Sequence, residues 1–364
     1  MTAPTDQRSC ERCLARSWLL GRLAGHLDVV RGRIDAVLGF ADGELVAAVA
    51  GAQRREIERE LAAVDPVAAR QRARAAGIET ICRCDRGYPA PLRDLRNPPA
   101  VLHVAGGLDR FLTLVAADPV AIVGARKASP YGLDVARALG RGLAGAGVAV
   151  ISGMALGADS AAHSGALDAG QATVAVLPGA ADRPYPARRR SLYARIVATG
   201  AAVSELPPGA SARRWMFPAR NRIIAGLAAM TVVVEAGRRS GALLTAAHAQ
   251  AAGREVGAVP GRVTAPQAAG TNELLARGAQ VVRGPQDVLD RLFGAGVRAA
   301  TREPRSELSG ELRALLSAIA DGADTAAAMA RAGVPAERGL AALASLELGG
   351  HVTRGAGGRF RIVP

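Results

Sequence analysis

Between about residue 86 and residue 300, short apolar runs alternate with amphipathic stretches of helical length. The runs fall at 120–124 (VAIVG), 148–152 (VAVIS), 172–177 (ATVAVL), 201–204, 230–235 (MTVVVE), 255–259 and 279–282. Runs this short and this uniformly apolar predict strands covered on both faces, so the segment reads as repeated βα units building a mainly parallel sheet with helices on either side. Residues 1–85 follow another period. Apolar positions recur three and four apart over 14–30 and 57–64, and a further helix opens at Pro66 and stops at Gly77. A charged, Pro-containing link at 301–306 leads into a last segment, 305–364. There, helical runs at 310–320, 325–332 and 335–348 precede two short strands around a Gly turn, the order of a winged helix. The expected architecture is therefore α/β: a helical module over 1–85, a Rossmann-like core over 86–300 and a winged helix over 305–364.

Charge sharpens this picture. The chain of 364 residues has a net charge of +14, which favours polyanionic partners. Of its 46 basic residues all but Lys127 are Arg, a bias that together with the Ala and Gly richness points to genome composition, so position says more than number. Residues 183–239 hold eleven Arg against Glu205 and Glu235, which gives 11 − 2 = +9 and places most of the excess in one region. No signal-peptide pattern opens the chain and no long uncharged apolar run occurs, so neither secretion nor a membrane span is expected and the cytoplasm is the default.

Within the basic region, 213–222 reads RRWMFPARNR, four arginines interleaved with Trp215, Met216 and Phe217. A single nucleic-acid strand offers phosphates and unstacked base faces together, and guanidinium groups beside aromatic platforms suit both. The alternative is a basic loop over buried aromatics. Gly-rich turns after the strands add anion-binding candidates: Gly124 to Gly132 with Arg126 and Lys127, Gly153 to Asp159, and Glu235 to Gly241 with Ser240.

Other chemistry is poorly supported. No G-x-G-x-x-G follows the first strand of the core and no P-loop, G-x-S-x-G or H-E-x-x-H run exists. Asp159 and His163, four apart on one helix, make an acid–base or metal pair conceivable, but a carboxylate at a helix start more commonly stabilises that start. No catalytic residue, metal or cofactor is expected. Cys10-x-x-Cys13 and Cys82-x-Cys84 raise the question of a four-cysteine zinc site against four free thiols, and the sequence leaves it open.

Taken in order, GARKASPYG at 124–132, SGMALGADSAAHSGAL at 152–167, VLPGAADRPYP at 176–186, SELPPG at 204–209, FPARNRIIAGL at 217–227, VVEAGRRSGALLTAAHA at 233–249, GREVGAVPG at 253–261 and GTNELLARGA at 270–279 resemble the DNA processing protein A (DprA/Smf) family. The resemblance implies a Rossmann-like core that binds single-stranded DNA without sequence preference, forms a homodimer and delivers the strand to a RecA-type recombinase in natural transformation. By the same resemblance Arg126, Arg214, Arg220 and Arg222 lie in or beside the DNA pocket and Phe217 contacts a base. Gly124, Lys127, Gly153, Asn221 and Ser240 complete the expected nucleic-acid site. The competing class is a nucleotide phosphoribohydrolase on a similar sheet, whose P-G-G-x-G-T-x-x-E run is not met: Pro260-Gly261-Arg262 and Gly270-Thr-Asn-Glu273 are separate.

Overall fold

A computed structural model describes residues 8–300, 308–348, 350–355 and 359–363. The chain divides into two compact units, Met1–Ala300 and Thr301–Pro364. In the larger unit, nine strands form one sheet: β1 (Ile78–Cys82), β2 (Val101–Ala105), β3 (Val120–Val123), β4 (Val150–Ser152), β5 (Thr173–Val176), β6 (Ala201–Ser204), β7 (Met230–Val233), β8 (Glu255–Ala258) and β9 (Gln280–Val281). Their order is β1-β2-β6-β5-β4-β3-β7-β8-β9, with every pair from β6 to β9 parallel and β1 and β2 antiparallel at one edge. The seven expected strands are all present. Strands β3 to β7 are buried throughout, as uniformly apolar runs require.

The helical module is not independent of this sheet. Residues 78–82, expected within the module, form β1, and the module's apolar face is completed from the other half of the unit. Leu19, Leu23, Leu27, Leu45, Val46 and Ile57 cluster with Leu206, Trp215, Met216 and Ala219. Trp215 is the anchor: its Nε1 donates to the Ala24 carbonyl at 2.9 Å and its backbone N–H to Asp28 at 3.0 Å. An indole that buries its ring and satisfies its N–H fixes one element against another at low cost.

The smaller unit has helices Gly310–Ala320, Thr325–Arg331 and Ala336–Leu348, then an antiparallel pair, β10 (Val352–Arg354) and β11 (Phe360–Ile362), around its own core of Leu315, Ile319, Leu343, Leu346 and Val352. Three helices followed by a hairpin is the expected order of elements.

Two interior histidines make the fold sensitive to acid. His103 in β2 lies 2.9 Å from Ser17 Oγ, and His163 lies 2.8 Å from Thr173 Oγ1. Burial lowers both from 6.5 to about 3. The folded rings thus stay neutral where the unfolded chain takes up protons, so stability is full above pH 6.5 and lost as pH falls below it. Each ring contributes about 1.4 kcal/mol per pH unit well below that point. Burial of the Asp159 carboxyl raises its pKa and opposes the trend. The urea midpoint is expected to fall between pH 7 and pH 5, by a loss on the order of 3 kcal/mol; an unchanged midpoint would mean that the native rings take up protons as readily as those of the unfolded chain.

Candidate nucleic-acid interface

The parallel sheet reverses its winding at β3, whose neighbours are β4 on one side and β7 on the other. Ligands of open α/β sheets gather in such a crevice, beyond the carboxyl ends of the strands. Here the turns after β3, β4 and β7 meet, and the N–H groups of Gly124, Ser129 and Gly153 are already engaged by the protein's own carboxylates.

Glu235, following β7, accepts from Ser129 N–H at 2.8 Å and Ser129 Oγ–H at 2.6 Å at the start of helix Pro130–Gly145. Asp159 accepts from the Gly153 N–H at 3.2 Å, and the Gly124 N–H points at the same carboxylate. Gly132 and Gly153 allow these close approaches, since a Cβ at either would strike Glu235 or the Arg220 guanidinium respectively. Gly124 and Gly153 therefore shape the crest, and the N–H groups expected to meet a ligand anion hold internal anions instead. Asp159 lies in the first turn of helix Ala158–Asp168, with its carboxylate turned to the loop N–H groups. His163, fully buried against Thr173, is part of the core.

Arg220 and Arg222 sit two positions apart in helix Met216–Leu227, about 200° around its axis, so they leave on opposite sides. Arg220, at 6% exposure, reaches under the crest and donates to the carbonyls of Gly153 and Val176 and to Asn221 Oδ1. Burial lowers its pKa to about 10, the Asp159 charge opposing that shift and the nearby Arg126 charge adding to it. Asn221 is buried as well and donates to the Gly241 carbonyl at 3.2 Å. Arg222 points the other way, into an internal pair. Its two terminal nitrogens lie 2.8 and 2.6 Å from the two carboxylate oxygens of Glu205, and it also donates to the carbonyls of Asn97 and Ala219. It lines a cleft of about 370 Å³ toward the helical module, shared with Arg12, Arg16 and Arg96. Arg222 is thus withdrawn from the crest, because a buried guanidinium is tolerated only when paired. Trp215 and Met216 are likewise core residues.

What remains in reach of solvent is a smaller set. Arg126 and Lys127 are exposed on the turn after β3, Arg213 and Arg214 before helix Met216–Leu227, Arg188 and Arg190 beyond β5, and Arg238 and Arg239 after β7. Ser240 caps helix Gly241–Ala251 through its hydroxyl. Phe217 is half-buried and carries the Arg126 guanidinium 4.8 Å above its ring, a cation–π contact that holds this side chain out on the crest. Tyr185 meets Phe217 edge-on, with centroids 5.2 Å apart and planes at 66°, and is 39% exposed. The ring face expected of Phe217 is therefore partly taken by Arg126, and Tyr185 presents the accessible aromatic surface. Sequence reasoning passed over Tyr185; the signal was its place between two prolines in DRPYP, where the backbone has little freedom.

Fold and crest together define a Rossmann-like α/β protein whose phosphate-cradling turns are filled internally and whose outer rim is basic and aromatic. The family model described as DNA recombination-mediator protein A matches residues 79–293, and the chain belongs to that family. Its relatives include the DNA processing protein DprA assigned in Mycobacterium tuberculosis, 46% identical over 219 residues, 60% of this chain and 56% of that protein. The chain thus spans about half the length of that relative. It is also 34% identical to the Bacillus subtilis DNA processing protein DprA over 67% of this chain and 80% of that one. The X-ray structure of DNA processing protein A from Streptococcus pneumoniae aligns with a TM-score of 0.62 at 29% identity, covering 79% of this chain and 98% of that chain. The DNA processing protein A of Helicobacter pylori, whose structure bears on its single-stranded DNA binding mode, aligns with a TM-score of 0.51 at 30% identity over 56% of this chain and 92% of that one. Among the described residues no helix is long and apolar enough to cross a membrane.

Proposed function

We propose that this chain binds single-stranded DNA along its crest without sequence preference and, as a homodimer, passes the strand to a RecA-type recombinase in natural transformation and homologous recombination. The observation that carries this reading is the Arg126–Phe217–Tyr185 cluster, a guanidinium held over one ring with a second ring exposed beside it. Such a unit offers a phosphate contact and a base-stacking face a few ångströms apart, as a flexible strand requires. Lys127 and Arg214 extend the cationic side; Gly124, Gly153, Arg220, Asn221 and Ser240 support the crest from within.

A binding role fits the carboxylates better than catalysis does. Glu235 is buried and bonded to Ser129, and Glu273 is paired with Arg277. Glu235 is thus held by the protein itself, and Glu273 stands in a surface ion pair rather than in the crevice run that a phosphoribohydrolase acid belongs to. The test is fluorescence anisotropy of a labelled oligo-dT against a duplex of equal length. Tighter binding of the single strand supports the reading, and equal binding would reduce it to general polyanion attraction.

A further inference from the structure

The two cysteine pairs, separated by the whole helical module, come together. Cys10 is the residue before helix Glu11–Arg22, Cys13 lies in its first turn, Cys82 ends β1 and Cys84 follows in the next turn. The four sulfur atoms all lie within 4.8 Å of one another, and Cys13 Sγ is 3.7 Å from Cys84 Sγ. None is in a disulfide. Among the described residues no other group of three or more His, Cys, Asp or Glu side chains converges in this way.

We propose that Cys10, Cys13, Cys82 and Cys84 form a structural zinc site that staples the helical module to the antiparallel edge of the sheet. A tetrahedron of sulfurs about 2.3 Å from a zinc ion has edges of about 3.8 Å, so the observed separations need to contract by no more than about 1 Å. The same closeness suits one ion rather than a cluster of several irons, each of which would spread its ligands farther apart.

The surroundings suit thiolates. The Cys10 backbone N–H points at Cys82 Sγ from 3.4 Å, and the positive end of helix Glu11–Arg22 faces the cluster. Cys13 and Cys82 sit in an apolar cradle with Leu14, Ala100 and Val101, while Cys84 is exposed, which leaves an entry path.

Four protein ligands leave no open position, so the role is structural. The links already present run the same way: the Cys82 N–H bonds the Arg8 carbonyl at 2.8 Å, and Arg70 bonds the Ser9 carbonyl at 2.9 Å. A metal here would close a loop containing nearly all of the helical module, including the helices that receive Trp215.

The experiment uses the full chain, purified under reducing conditions without chelator, with metal measured by inductively coupled plasma mass spectrometry. About one equivalent of zinc is expected, with the four thiols unreactive toward a thiol reagent until a chelator removes it. Protein reloaded with cobalt is expected to show the intense visible bands of a tetrahedral thiolate complex. The exposed-ligand variant Cys84→Ser should bind zinc at least tenfold more weakly, with the fold checked by circular dichroism. Less than about 0.1 equivalent of zinc, with four reactive thiols before chelation in folded wild-type protein, would overturn the site. So would iron in place of zinc, or two disulfides formed without metal.

Discussion

Glu205→Ala is expected to lower the free energy of unfolding by about 3–5 kcal/mol. Glu205 and Arg222 are 7% and 6% exposed and meet through two parallel hydrogen bonds. Removing the carboxylate leaves an unpaired, largely buried guanidinium that cannot readily lose its proton. The pair's attraction raises the Arg222 pKa despite its burial. Glu205→Leu with Arg222→Met removes both charges and should cost less than the Glu205 change alone, although the bonds to Asn97 and Ala219 go as well. Urea unfolding at neutral pH measures both. A loss under about 1 kcal/mol for Glu205→Ala would mean that water in the cleft beside Arg222 replaces the carboxylate, as at an exposed pair.

Tyr185→Ala is expected to weaken single-strand binding by about 1–3 kcal/mol, between fivefold and 150-fold, without changing the salt dependence. A base stacking on the exposed ring releases no counterions, so its loss shifts the binding curve at every salt concentration alike. Phe217→Ala behaves differently. It removes the ring under Arg126 and the edge contact with Tyr185 together, so both affinity and salt slope should fall. Titrations at three salt concentrations distinguish the two; a parallel shift for both would show that Phe217 does not hold Arg126 in place.

The parallel sheet was legible because a strand covered on both faces must be apolar at every position, and runs such as VAIVG and MTVVVE have no competing explanation. Strand β1, with Glu79 exposed and Thr80 half-buried, has no such uniformity, and β2 carries His103, whose Nε2 meets Ser17 Oγ from 86 positions away. Local pattern holds no trace of that partner.

The crest was legible only in part for the same reason. Counting arginines in RRWMFPARNR cannot separate one that pairs with Glu205 inside the fold from one that faces water. Helical geometry turns Arg220 and Arg222 apart, but which of them lies under the crest depends on how the helix packs. The cysteine pairs show a third case: C-x-x-C and C-x-C are visible in the chain, but their meeting depends on how the helical module folds back on β1.

On the reading proposed above, the exposed rim, not the buried arginines of the helix beneath it, meets the DNA. The most direct test is the anisotropy of labelled oligo-dT over a range of salt concentrations, for the wild type and for an Arg126→Ala/Lys127→Ala/Arg214→Ala variant. Each phosphate contact contributes about −0.7 to the logarithmic salt slope on single strands, so the variant's slope should flatten by roughly 2. Its unfolding free energy should stay within about 1 kcal/mol of wild type, since all three side chains are exposed and only the Arg126 contact with Phe217 is lost. An unchanged slope in a fully folded variant would contradict the account and place the strand elsewhere on the protein.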